Sequence, residues 1–200
     1  MTEQSAVTYQ EPLVGPDFGS YAADEVRWLL KDLSHVPLEG DVAFREKRIQ
    51  AGVAHYAESL PVEFQPDAAY QELFHRVLAD SARRLAVAVG AVTDLVLAER
   101  GSDIVLVSLA RAGTPVGILM RRWAQRHGLE LPHYAVSIVR DRGIDANAMR
   151  YLATHHDPAC VVFVDGWTGK GAIARELDEA LAQLAADGGP VFDPELAVLA

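Results

Sequence analysis

The chain has 200 residues, 50% of them hydrophobic and 23% charged, which excludes wholesale disorder and fits one α/β-sized domain with a helical elaboration. Its 28 acidic and 18 basic side chains leave a net charge of -10, which disfavours binding to the phosphate backbone of nucleic acid. The single cysteine, Cys160, excludes an intramolecular disulfide and a cysteine-rich zinc site.

Residues 1–20 carry Pro12, Gly15, Pro16 and Gly19 without periodicity, which predicts an irregular arm. The start is polar and acidic, with no basic opening and no apolar run of signal-peptide type. Asp24 to Leu33 reads as a short amphipathic helix with Val26, Leu29, Leu30 and Leu33 on one face. Arg45 to Leu60 reads as a second helix, ended by Pro61. A third starts after Pro66 with Asp67 as N-cap and runs toward Glu99. Its predicted face is Tyr70, Phe74, Val77, Leu78 and Leu85, with a kink expected at Gly90. The most apolar stretch, Leu85 to Ala98, is shorter than the roughly 20 residues of a membrane span and contains Thr93 and Asp94. A soluble, cytoplasmic protein with no membrane partner is therefore expected. Residues 21–100 form its helical N-terminal region.

After Gly101 the pattern changes. Ile104 to Val107, Tyr134 to Val139 and Cys160 to Val164 are short apolar runs rich in β-branched residues, as buried parallel strands are. Helical stretches separate them: one ending at His127, one from Asp145 to His155, one from Gly171 to Ala186. The alternation predicts an α/β fold, a parallel doubly wound sheet preceded by the helical region, with residues 101–200 as its core. Leu196 to Ala200 reads as a fourth strand cut short, so the core is expected to be truncated at its C-terminus.

Ligands of such sheets sit beyond the carboxyl ends of the strands. Here the three ends carry Ser108 to Thr114, then Arg140-Asp141-Arg142-Gly143, then Asp165 to Gly171. They would bring Arg111, Arg140, Arg142 and Lys170 to one rim with Asp141 and Asp165. An apolar strand, one acid, then Thr168-Gly169-Lys170-Gly171 opening a helix reads as a phosphate cradle, with backbone N–H groups aimed at an anion. A nucleotide-binding P-loop is excluded, because it needs glycine at Val164 and Ser or Thr at Gly171. The plainer alternatives are a ligand-free strand-to-helix turn and a solvated arginine pair flanking Asp141. Trp167 is not needed for turning and suits stacking on a base or sugar. His155 and His156 fit favourable charge placement at a helix C-terminus. His55 and Tyr56, beside Glu58, read as helix packing.

Val161-Val162-Phe163-Val164-Asp165 followed by Thr168-Gly169 resembles the diphosphate-sugar (PRPP) signature of type I phosphoribosyltransferases. The strings SLARAGTPVG, HYAVSIVRDRGID and FVDGWTGKGAI resemble a phosphoribosyltransferase-like group of bacterial tellurite-resistance gene clusters, often labelled tellurite-like stress-resistance cysteine protease StiP. The chain has only Asp165 where the diphosphate-sugar signature has two adjacent acids, and Gly166-Trp167 makes a shorter loop. The resemblance implies Mg²⁺-dependent transfer of a 5-phosphoribosyl group from PRPP to a base-like acceptor, or the reverse. In that scheme Asp165 meets the ribose hydroxyls and Arg111 the pyrophosphate, with Ala112, Gly113 and Thr114 beside it. Gly166 and Trp167 line the cradle, while Thr168, Gly169, Lys170 and Gly171 bind the 5′-phosphate. Arg140 and Arg142 lie on or near a closing loop. The implied partners are a small phosphorylated sugar or nucleotide-like substrate and other proteins of the gene cluster, with a homo-oligomer allowed. No protein-held metal ligand is assigned. The single acid favours an alternative, a regulatory module that binds PRPP without catalysis. The least favoured reading is a cysteine protease with Cys160 as nucleophile, since Cys160 opens an apolar strand.

Overall fold

The structure is a computed structural model and describes residues 9–40, 42–52, 60–61 and 64–200. Two compact units divide the chain, one of residues 32–84 and one of residues 1–31 with 85–200. In the first, β3 (Glu39–Gly40) pairs in parallel with β4 (Leu60–Pro61), and α1 (Val42–Gln50) lies between them in sequence. The helix α2 (Ala68–Arg100) begins in this unit and ends in the other. Asp67 caps it as expected, its carboxylate accepting from the Tyr70 N–H at 2.8 Å. The predicted helix Arg45 to Leu60 is corrected at both described ends beyond α1, since Ala51 and Gly52 form a turn and Leu60 belongs to β4; the stretch between, with His55, Tyr56 and Glu58, lies outside the described residues.

The larger unit is α/β, with a mixed but mostly parallel sheet in the order β1-β2-β6-β5-β8-β9. Its long strands are β5 (Val105–Ala110), β6 (His133–Val139) and β8 (Val161–Val164), all parallel to one another. The short strands β2 (Arg27–Leu29) and β9 (Leu196–Ala197) extend the parallel set. The strands β1 (Leu13–Val14) and β7 (Gly143–Ile144) pair antiparallel, on β2 and β6 respectively. Three helices connect the long strands and β9: α3 (Gly113–Arg126), α4 (Ala146–His155) and α5 (Ala172–Ala186).

Strand alternation divides the core between the two faces of the sheet. Leu106, Val162 and Val164 pack with Val89 of α2 and Met120 of α3. Val107, Val136 and Phe163 pack on the other face with Met149 and Leu152 of α4 and Leu177 and Leu181 of α5. No helix among the described residues is long and apolar enough to cross a membrane.

Three expectations need correction. Asp24 to Leu33 is not a helix; Arg27–Leu29 is a strand. Val26 and Trp28 pack on Ile118 and Ala135, while Leu29 faces the opposite cluster. The period of two wins because β6 offers an unpaired edge on that side. Second, the apolar face of α2 at Tyr70, Phe74, Val77, Leu78 and Leu85 is exposed, and Val89, Gly90 and Thr93 are the buried positions. Third, α2 continues through Gly90, whose missing side chain makes room for an indole. A Cβ there would stand 2.9 Å from Trp123.

Candidate functional site

The carboxyl ends of β5, β6 and β8 share one edge because the strands are parallel neighbours. Two contacts draw the loops beyond them together. At β5, Arg111 and Ala112 lead into α3, and the Ala110–Arg111 peptide is cis. Gly113 presses on the end of β8: a Cβ there would stand 2.1 Å from the Val164 carbonyl oxygen, so only glycine fits. Ala112 also lies against Gly166. Arg111 and Asp165 therefore sit on adjacent strands at one rim.

The third loop is held by a residue the sequence did not single out. Glu176 of α5 accepts from the N–H groups of Asp141 (2.9 Å) and Gly143 (2.8 Å), fixing the β6–β7 turn that carries Arg140 and Arg142. In sequence Glu176 is one of several acids on an amphipathic helix, and nothing in the pattern distinguishes it.

At the end of β8, Asp165 is only 7% exposed. Burial pushes its carboxyl above the ordinary aspartate range, partly opposed by the Gly166 N–H it accepts at 2.8 Å. Gly169 and Gly171 adopt the left-handed backbone that the turn into α5 requires. The cradle is less open than the sequence suggested. The Thr168 N–H is spent on the Ala200 carbonyl (3.1 Å), and Arg175 takes the Lys170 carbonyl (3.0 Å). Neither Gly171 of α5 nor Ala112 of α3 caps its helix through a side chain, so each helix N-terminus faces the rim without one. The Thr114 hydroxyl in the first turn of α3 is buried without a hydrogen-bond partner among the described residues. The Trp167 indole stands 66% exposed beside it all.

Beneath this rim lies a second feature that sequence reasoning missed. His133, at the start of β6 and 4% exposed, places Nδ1 2.8 Å from the Glu25 carbonyl and Nε2 2.8 Å from the Ser108 hydroxyl. A carbonyl only accepts, so the neutral ring carries its proton on Nδ1 and accepts through Nε2, and the one Ser108 proton is shared between Nε2 and the Gly113 carbonyl. The same hydroxyl is 3.0 Å from the Gly113 carbonyl. The pair thus braces the entry to α3 from below. Its only signal in sequence is a histidine opening an apolar strand.

Cys160 lies elsewhere. It closes a single 3₁₀ turn, Pro158–Cys160, before β8, at the opposite end of the sheet from Asp165. Burial, Asp103 and Asp157 push its thiol up, and Arg100 offsets this in part. His155 stacks on Tyr151 (4.0 Å) and bonds the Tyr151 carbonyl through Nδ1 (2.8 Å). The His156 Nε2 meets the Tyr134 hydroxyl at 2.9 Å, and burial pushes that ring's pKa down. Among the described residues no group of three or more His, Cys, Asp or Glu side chains is arranged for a metal ion. Asp165 alone is a poor donor set for a protein-held magnesium.

Residues 19–200 match a family described as tellurite-like stress resistance cysteine protease StiP. The chain belongs to the StiP family. It is 42% identical over 163 residues to the protein named Cysteine protease StiP of Acinetobacter baylyi, covering 82% of this chain and 42% of that relative. The chain thus spans less than half the length of the curated relative it matches. No solved structure matches. The stress and tellurite side of the resemblance agrees with this family. The transferase side does not: a family described as a cysteine protease overturns phosphoribosyl transfer, and with it the PRPP-binding regulatory alternative. The reading failed for a physical reason. Glycine-rich strand ends with arginines recognise negative charge, and that recognition does not determine which bond is broken.

Proposed function

We propose that this chain serves peptide-bond hydrolysis of the cysteine-protease kind by holding the substrate on the rim where β5, β6 and β8 end. The sheet behind it is read as doubly wound. The path from β5 to β6 through α3 goes one way, and the path from β6 to β8 through α4 crosses back over β5. Strand order reverses between β5 and β8, and ligands of such sheets bind beside that reversal. Arg111 and Asp165 stand there.

The observation that carries the reading is the buried Asp165. A carboxyl at that depth is ordinarily paired with a cation or several donors, because burying the charge is costly. Asp165 has its own loop's Gly166 N–H. A carboxyl that keeps its proton to higher pH can donate to a peptide carbonyl. The exposed Arg111 and Lys170 suit a carboxylate of the same substrate, and Trp167 supplies a flat apolar surface.

Cys160 is the only thiol in the 200 residues, so thiol chemistry by these residues alone would have to use it. Its place argues against that role. About 16 Å of extended chain, at roughly 3.3 Å per residue, separates it from Asp165. Its surroundings also favour the protonated thiol, which is the unreactive form. Iodoacetamide at neutral pH is expected to label Cys160 more slowly than free cysteine; faster labelling would restore it as a nucleophile.

The rim is tested with reduced, unfolded casein as the probe, its binding followed by interferometry. Asp165→Ala, which removes the donor, and Arg111→Ala should each weaken binding about tenfold, the usual effect of losing a hydrogen bond from a buried or charged group. Cys160→Ser should bind as the wild type does. Unchanged binding by both rim variants, or loss of binding in Cys160→Ser, would refute the assignment.

A further inference from the structure

A cavity of about 280 Å³ opens beside the same sheet edge, between the segment Tyr9–Pro12, the end of β2 and the start of α4. Its apolar walls are Tyr9, Leu29, Ala148 and Tyr151, with Lys31 and Asn147 at the mouth. Strand pairing places it. β2 runs parallel to β6, so Leu29 and Lys31 stand at the carboxyl end of the sheet, as Arg111 and Asp165 do. The helix α4 also begins at that end, where Asp145 caps it by accepting from the Asn147 and Ala148 N–H groups (2.9 and 3.3 Å). Asp145 and Glu11 are the acidic side chains of the lining, and the capping N–H groups orient the Asp145 carboxylate.

Size and lining decide the ligand class. Small-molecule sites usually begin at about 300 Å³, so this cavity suits one large side chain better than a cofactor. Tyr9 and Tyr151 meet edge to face, with centroids 6.0 Å apart, and offer the ring surfaces an aromatic guest prefers. From β8 to β2 is three strand spacings, about 14 Å, which four or five residues of extended peptide cover.

We infer that this cavity is a specificity pocket for an aromatic or large aliphatic side chain of a peptide whose backbone crosses the rim from Asp165 to β2. The inference rests on the proposed substrate-holding role of the rim. It adds a side-chain preference that the rim alone would not show.

The test is calorimetric titration of acetyl-GGFGG-amide and acetyl-GGGGG-amide, with the phenylalanine walked through the five positions. At one position phenylalanine should tighten binding about tenfold or more over glycine. Asn147→Trp, at an exposed position on α4, places an indole in the mouth without disturbing the core. It should abolish the phenylalanine advantage, so that no phenylalanine peptide binds more tightly than the all-glycine peptide. An advantage that is absent, or that persists in Asn147→Trp, overturns the pocket. If the advantage is present and removed by Asn147→Trp while Asp165→Ala binds every peptide normally, the pocket stands and the rim falls.

Discussion

Gly117→Ala is expected to destabilise the larger unit by about 3 to 5 kcal/mol, enough to unfold a domain of ordinary stability or leave it marginal. A Cβ at Gly117 would stand 2.3 Å from the Ser108 hydroxyl oxygen and 2.4 Å from His133 Nε2. Both are well inside any real contact distance, and both partners are buried. The helix α3 would have to lift from β5 and β6, or the Ser108–His133 hydrogen bond would have to break. Breaking it leaves the buried His133 Nε2 without a partner, while the Ser108 hydroxyl keeps the Gly113 carbonyl, and overpacking adds its own cost. Chemical denaturation measures the loss. Combining Gly117→Ala with Ser108→Ala removes the nearer clash and should recover part of it; strict additivity of the two changes would show that the contact is not the cause.

The second expectation concerns acid. Burial holds the His133 pKa down to about 4, against an ordinary value of 6.5; Arg121 acts in the same direction, and the Glu25 carbonyl and carboxylate oppose it. The folded state thus binds its proton less readily than the unfolded chain. Stability is unaffected well above pH 6.5, falls as the pH drops from 6.5 toward 4, and levels off for this group below that. The full loss is about 3 kcal/mol. His156, also pushed down, contributes in the same direction, so the imidazole must be isolated by a variant. Urea midpoints of wild type and His133→Gln at pH 7.5, 5.5 and 4 do this: the wild type should lose markedly more stability over that range. Parallel losses in the two proteins would show that His133 does not control the acid response.

The same node explains what sequence could and could not reveal. The alternation after Gly101 placed β5, β6 and β8 because each is a continuous apolar run bounded by turn residues, a local pattern. The strand ends were legible too, since polar and glycine residues directly after a buried strand mark its exit. Glu176 and His133 were not. Their roles depend on the β6–β7 turn and on Ser108, partners far away in sequence, and their own neighbourhoods look ordinary. The apolar face of α2 was legible as periodic but its exposure was not, because periodicity reports amphipathic character and not what covers it. Arg27–Leu29 was missed for the opposite reason: its strand exists only because β6 has an edge to pair with. The pocket walls come from three separate segments and left no local trace. The chemistry was hardest to read, since the rim residues read in sequence as an anion site while the family is described as a cysteine protease.

The central claim is that substrate lies at the carboxyl ends of the strands and not beside Cys160. Backbone hydrogen exchange, with and without saturating reduced casein, tests it most directly. The account predicts slowed exchange across residues 110–114 and 165–171, with Ala159 and Cys160 unchanged. Slowed exchange at Ala159 and Cys160 with both rim segments unaltered would contradict it.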